Sequence, residues 1–356
     1  MKKMKKILSV IFLLFILGGC TPVLKQPELP KEEIETEREK QREIALNTLI
    51  ERQIRLYKTG FPLLKGAVNF YTKKPILSLG ILIHSSKNYK KEDLPIISKK
   101  YRIEDSPTIL YVHPHFGAYN AGLKINDRII EINKKKVESI ENISKIMEGI
   151  DLSKEKVEVI VDRNGEILTF NVPTTKICPF SFVLYTDPQV GDSINAFTDG
   201  QTIYATPGLL RFIQSDTELA FVLSHEIAHA VLDHSVQKTG NRILGTIVDI
   251  AITVATGVNT QGVFGNIAGL VYSKEFEKEA DYLGTYIAAI SGYDVSDAPN
   301  FWRKMAAEYP GSTKDVFLTT HPSSPERYIL IEKTVEEIKE KQKKGIPLFP
   351  DYKKTK

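Results

Sequence analysis

Between Leu77 and Val172 apolar residues alternate with polar ones in short runs (ILSLGILI, TILYVHP, DRIIEIN, KVEVIVDR, ILTFNVP) separated by turn residues, a pattern that predicts β-strands. Only the stretch from Ile140 to Met147 changes to helical spacing. Asn164-Gly165, between the last two runs, is a two-residue hairpin signal. Upstream, a Pro-rich stretch from Pro22 to Pro30 is followed by alternating charges from Lys31 to about Arg55, which predicts a solvated helix supported by i,i+4 pairs. This reads as a spacer, although Ile44, Leu46, Leu49, Ile50 and Ile54 also form a stripe suited to docking on the next domain. Downstream, TELAFVLSHEIAHAVLDH (Thr217 to His234) is an apolar run of good helix formers. Ser215 opens it, with Glu218 three residues on as in a capping box, so a buried helix is predicted.

Composition adds a size and an address. The chain has 356 residues, 42% hydrophobic and 26% charged, which predicts two folded units. Residues 1–19 carry four lysines, an apolar run from Ile7 to Leu17 too short to span a bilayer, and two small residues before Cys20, the layout of an export signal. The ending Leu17-Gly18-Gly19-Cys20 resembles the lipobox of bacterial lipoproteins, which implies cleavage before Cys20, its acylation and attachment to a membrane through lipid. In a bacterium with two membranes, Thr21 after the Cys points to the outer membrane, facing the periplasm. The formal charge of +4 becomes neutral once Lys2, Lys3, Lys5 and Lys6 leave with the signal. No basic stripe remains, so nucleic acid is not an expected partner. Cys178, between Ile177 and Pro179, is then the one free thiol and is expected to be buried and inert.

The chemistry lies in the C-terminal half. His225 and His229 are one helical turn apart, so both imidazoles project from the same face, with Glu226 beside them. Such an HExxH pattern supplies two metal nitrogens and a carboxylate next to an open coordination position. A catalytic zinc ordinarily has three protein ligands, which predicts a third downstream. The segment SKEFEKEADYLG offers it: Glu277 and Asp281 share a helical face, and Ala280 is small enough to let this helix approach the first. Spacing alone does not choose among Glu275, Glu277 and Glu279. His234, about 140° round the helix from His229, is expected to be structural or at the surface and not a ligand, and His113 and His115 are assigned no metal.

HEIAH, then Ser273 with Glu277 and Asp281, preceded by Asn195-Ala196-Phe197 and followed by Thr320-His321-Pro322 with Arg327, together resemble peptidase family M48 from about Pro179 to Lys343. The resemblance implies a gluzincin fold with one zinc per chain held by His225, His229 and Glu277. It also implies Asp281 as the carboxylate orienting a ligand histidine and Glu226 as the general base toward water. For His321 it leaves two roles open, stabiliser of the oxyanion or fourth zinc ligand that keeps the enzyme latent; Arg327 would pair with a carboxylate. Asn195, Ala196 and Phe197 are implied to form an edge strand for extended substrate. The β-rich region resembles a PDZ domain, through Ala121-Gly122-Leu123-Lys124 with Asp127 and Ile129. It departs from the usual Gly at Asn126 and Lys134, and since Lys tolerates a left-handed turn poorly, an altered loop is expected there. The resemblance makes Leu77-Ser78-Leu79-Gly80 the candidate loop for a peptide C-terminus.

The expected organisation is α+β and multidomain: signal at 1–19, tether and charged helix at 20–60, a small β-rich PDZ-like barrel at 62–176, a mainly α-helical HExxH peptidase domain with a small sheet at 178–345, and a tail at 346–356. The expected function is a lipid-anchored zinc endopeptidase acting on unfolded, damaged or misassembled cell-envelope proteins. The alternative is an envelope chaperone or assembly factor in which cleavage is latent. The apolar, Gly-rich segment from Ile243 to Val258 reads as a buried helix, or as a hairpin over the active site or at the membrane surface.

Overall fold

The computed structural model describes residues 27–188, 190–234, 272–308, 321 and 324–351; Cys20 and the segment 243–258 lie outside them. Two compact units divide the chain, 1–44 and 45–356. In the first, helix α1 (Lys31–Ala67) begins as an exposed rod with local pairs such as Arg38 to Glu35 at 2.6 Å.

The second unit holds α1 from Ala45 on, past the expected end of the tether at residue 60, and there the helix is buried from Leu46 onward. The apolar stripe is what changes its role. Leu46, Ile50, Leu56, Phe61 and Leu64 join a core shared with Phe182, Leu184, Leu223 and Ile227 of the C-terminal half, whereas Ile44 stays 66% exposed. Pro62 lies inside α1 and has no N–H, so the carbonyl of Lys58 loses its helical donor. His113 replaces it, its Nε2 donating to Lys58 O at 3.1 Å, while the Tyr293 hydroxyl donates to Thr59 O at 3.0 Å. A buried histidine and a half-buried tyrosine thus serve structure here.

The β-rich part contains β1 (Ile76–Ser78), β2 (Ile81–His84), β3 (Thr108–Val112), β4 (Arg128–Ile132), β5 (Lys135–Lys136), β6 (Lys156–Arg163), β7 (Glu166–Pro173) and β8 (Thr175–Ile177). With them come α2 (Leu94–Ile97), α3 (Gly117–Ala121) and α4 (Ile140–Glu148). The main sheet runs β2-β3-β4-β6-β7, with β5 on β4, and β1 pairs separately with β8. It is an open sheet and not the expected barrel, because β2 and β7 do not pair with each other. The β2 side is instead closed by α1, whose Tyr57 hydroxyl donates to Ile81 O at 2.9 Å. Ile83, Ile109, Ile129, Val159 and Val161 pack with Ile143, Ile146 and Met147 of α4 into this module's own core.

The turn at Lys134 is not altered as expected. Asn133 and Lys134 both have positive φ, 49° and 63°, and Ile132 pairs with Lys135, the two-residue type I′ geometry. Asn126 is left-handed as well, at φ 71°, its side chain accepting from Arg102 N at 2.9 Å. The pairing of β4 with β5 outweighs the strain of a Lys in this conformation.

In the C-terminal half, β9 (Ser181–Leu184), β10 (Ala196–Thr198) and β11 (Thr202–Ala205) form a sheet in the order β10-β11-β9. Helices α5 (Pro207–Phe212), α6 (Asp216–Val231), α7 (Lys274–Ile290), α8 (Ala298–Ala307) and α9 (Pro325–Lys343) pack around it. Gln53 of α1 caps the β9 edge as a neighbouring strand would: its amide donates to Phe182 O at 2.7 Å and accepts from Leu184 N at 2.8 Å. Gly60 lies so close that an added Cβ would meet the Phe182 ring at 2.2 Å. Cys178 is fully buried, and burial pushes its thiol well up, as befits an inert thiol. No described helix is long and apolar enough to cross a membrane.

Two outcomes follow from these contacts. Lys134→Gly relieves left-handed strain and is expected to raise stability by about 0.5–1 kcal/mol in urea denaturation; no gain would mean the turn is unstrained. His84, buried against Tyr89 (Nδ1 to hydroxyl 2.8 Å), is pushed down to about 3 by desolvation. Its unfolded value is near 6.5, so the unfolded chain binds the extra proton and stability falls as pH drops from about 6.5 toward 3. At pH 5 this costs about 2 kcal/mol, and His84→Asn should reduce the difference between urea midpoints at pH 7 and pH 5.

Candidate active site

Ser215 caps α6 as expected, its Oγ accepting from Glu218 N at 3.1 Å, while the Glu218 carboxylate accepts from Gln214 N at 2.6 Å and not from Ser215 N as a full capping box has it. Ser273 caps α7 in the same way, accepting from Phe276 N at 3.2 Å. The two helices cross at Gly284, where an added Cβ would lie 3.0 Å from His225 Cα and N. Ala280, one turn earlier, is fully buried. This crossing sets Glu277 and Asp281 against the HExxH face.

His225 Nε2 and His229 Nε2 converge to 3.1 Å. Glu277 approaches both, Oε2 at 3.6 Å from His225 and Oε1 at 3.5 Å from His229. His321 Nδ1 lies 3.3 Å from His225 Nε2 and 2.9 Å from Glu277 Oε1. One atom from each of these four residues falls within 4.8 Å of the others, close enough together to hold a single metal ion. On the outer side, His225 Nδ1 lies 3.1 Å from Asp281 Oδ1. Arg327 is buried between the acids, Nε and Nη2 each 2.7 Å from an Asp281 oxygen and Nη1 2.7 Å from Glu277 Oε2. Glu226 is buried, its Oε1 3.2 Å from His321 Nε2 and its Oε2 without a hydrogen-bond partner among the described residues.

The electrostatics fit a divalent cation. Desolvation pushes His229 down to about 3, so its imidazole is neutral with a lone pair to give. Burial opposes the charge on His321 and on Glu277. For His321 the carboxylates of Glu277 and Glu226 outweigh burial and raise it to about 10, which registers a strongly negative potential where the side chains meet. Glu277 is held well below the usual carboxylate range, burial being overcome by Arg327 and His321. Two imidazole nitrogens and an ionised carboxylate converging at a buried, negative point match a zinc site.

A cleft beside Glu226 is lined by Ile194, Asn195, Ala196, Val222, Trp302 and Met305, among others. Asn195 and Ala196 therefore reach the cleft, beside β10 at the end of the described three-stranded sheet. Phe197 does not. Its ring packs with Tyr185 (5.3 Å between centroids) and Tyr204, because successive strand residues face opposite ways. His234 was expected on a remote face, yet its Nδ1 lies 2.9 Å from His229 Nδ1. The Tyr272 ring stacks on His229 at 3.9 Å, a contact no local pattern announced. In the PDZ-like part, the Gly80 amide donates to Ser78 Oγ at 3.3 Å, and the carbonyls of Leu79 and Gly80 accept from the Ala118 and His113 amides.

The model of peptidase family M48 matches residues 144–335, and that of a PDZ domain matches residues 78–174. A putative beta-barrel assembly-enhancing protease of Vibrio cholerae is 32% identical over 182 residues, 47% of this chain and 37% of that protein. The mitochondrial metalloendopeptidases OMA1 of Arabidopsis thaliana and Schizosaccharomyces pombe are 32% and 33% identical over 143 and 156 residues. These cover 39% and 42% of this chain, and 29% and 45% of the relatives. The chain thus spans less than half the length of each of these relatives.

The helix crossing yields a test. Gly284→Ala forces the α6 and α7 backbones apart by a few tenths of an ångström and is expected to cost about 1–3 kcal/mol of stability. It should also weaken zinc binding measured by chelator competition; unchanged affinity would show that the crossing does not set the ligand spacing.

Proposed function

Since the chain belongs to peptidase family M48, we propose that it is a zinc-dependent metalloendopeptidase that hydrolyses peptide bonds in unfolded or misassembled cell-envelope proteins. The convergence of His225, His229 and Glu277 beside the buried carboxylate of Glu226 carries this reading. The name of the Vibrio cholerae relative supports substrates of the envelope, and the export signal with Cys20 supports a lipid-anchored protein facing the periplasm.

A zinc ion bound by His225, His229 and Glu277 supplies Lewis acidity toward a water molecule and the substrate carbonyl. Glu226 accepts a proton from that water as its oxygen bonds to the carbonyl carbon, then passes the proton to the amine as the C–N bond breaks. Asp281, itself ion-paired to Arg327, holds the outer nitrogen of His225. Substrate lies extended along the segment Asn195, Ala196 and Phe197, the first two facing the cleft. The PDZ-like module positions the catalytic half, since its candidate peptide loop uses its own amide and carbonyls internally and β2 is buried at all four residues.

One observation favours a latent resting form. His321 Nδ1 approaches both His225 Nε2 and Glu277 at ligand-like spacing, which suits a fourth metal donor better than a stabiliser of an oxyanion.

Zinc-loaded full chain incubated with unfolded casein is expected to cleave it, and a chelated sample is expected not to. Glu226→Gln should lower the rate by roughly 10²–10⁴-fold with zinc still bound. Cleavage by Glu226→Gln at the wild-type rate would rule out this mechanism. A wild type that binds zinc but is inactive, with activity appearing in His321→Ala, would establish latency.

A further inference from the structure

We infer that His234 is a positioning residue for the metal: it accepts a hydrogen bond from the outer nitrogen of His229 and so keeps the inner nitrogen of that ligand free of a proton. The inference rests on the zinc reading above and concerns how one ligand is held. Helical projection fails for His234 because α6 ends at Val231, with Leu232 as its cap. Asp233 then turns the chain with φ 56°, which brings the next side chain back over the helix end. The His234 ring is buried and lies flat on Phe276, 4.3 Å between centroids and 16° between planes.

Proton bookkeeping fixes the direction of the contact. His234 Nδ1 and His229 Nδ1 are 2.9 Å apart, so one nitrogen donates and the other accepts. The other nitrogen of His234, Nε2, lies 3.4 Å from Glu279 Oε2, and a carboxylate only accepts. In the neutral imidazole that this buried site favours, Nε2 therefore carries the His234 proton and Nδ1 its lone pair. His229 must then be protonated at Nδ1, which leaves its Nε2 lone pair aimed at the point it shares with His225 Nε2, 3.1 Å away, and Glu277. Ligand histidines are ordinarily oriented by such an outer contact. Here the two are held differently, His225 by the charged Asp281 and His229 by a neutral imidazole. Phe276 and Glu279 belong to the opening turns of α7, the helix that also presents Glu277. A single helix end thus delivers the third ligand and the support of the second.

The test is zinc affinity of the full chain by competition with a chromogenic chelator, alongside the thermal midpoint of each chelator-treated protein. His234→Leu removes the acceptor and is expected to weaken zinc binding about 10–100-fold. His234→Asn places an amide oxygen near the Nδ1 position and should restore affinity to within about threefold of wild type. The midpoints of the two chelated variants should coincide. Wild-type affinity in His234→Leu would overturn the inference while leaving the zinc reading intact. Equal losses in both variants, tracking a lowered midpoint, would make His234 a packing residue and overturn it too. Failure of the wild type itself to bind zinc would sink the zinc reading and this inference together.

Discussion

Three carboxylates and three histidines are buried within a few ångströms of one another beside the half-buried His321, and the fold survives this because Arg327 is buried with them. Isolated ionised groups in a dry interior are very costly, so such a cluster persists only when charges are paired and hydrogen-bonded. Arg327 meets Asp281 with two nitrogens and Glu277 with a third, and the two acids hold its charge against a desolvation that opposes it. Because Asp281 faces His225 and Glu277 faces both motif histidines, one guanidinium organises the outer and the inner side of the site. The close crossing at Gly284 serves the same end, bringing backbone against backbone so that short acidic side chains reach the histidines.

Helix α1 links this cluster to the PDZ-like module. Toward the catalytic half, Gln53 satisfies both polar groups of the β9 edge, and Arg55 pairs with Asp216 in the first turn of α6 at 2.9 Å. Toward the module, Phe61 meets Phe116 edge-on at 4.1 Å and Tyr57 covers the β2 carbonyl. The break that Pro62 makes in the helix is repaired by His113, a residue of the module itself. The module and the catalytic half are therefore coupled through one helix whose polar groups are shared between them.

The local grammar of the chain was legible. Caps at Ser215 and Ser273, the Asn164-Gly165 hairpin, the strand runs, the HExxH helix and the carboxylates one turn apart on α7 each depend on residues within a few positions of each other, where geometry follows from helical or strand periodicity. The burial of α1 was half visible: its apolar stripe marked a docking face, but a pattern of charges does not say which surface lies opposite. The openness of the sheet was hidden for the same reason, since whether β2 meets β7 or α1 depends on residues far apart in sequence.

By itself the sequence determined the elements, the reactive residue types and, through helical spacing, which of them share a face. Tertiary structure alone decided which acid meets which histidine, that Arg327 bridges two of them, that Phe197 turns from the cleft, and that His234 returns to His229 once the helix ends. Periodicity extends only as far as the regular element that carries it. Beyond a helix terminus or across a helix crossing, the outcome depends on backbone turns, close approach and the pairing of buried charge, which only the folded chain brings into contact.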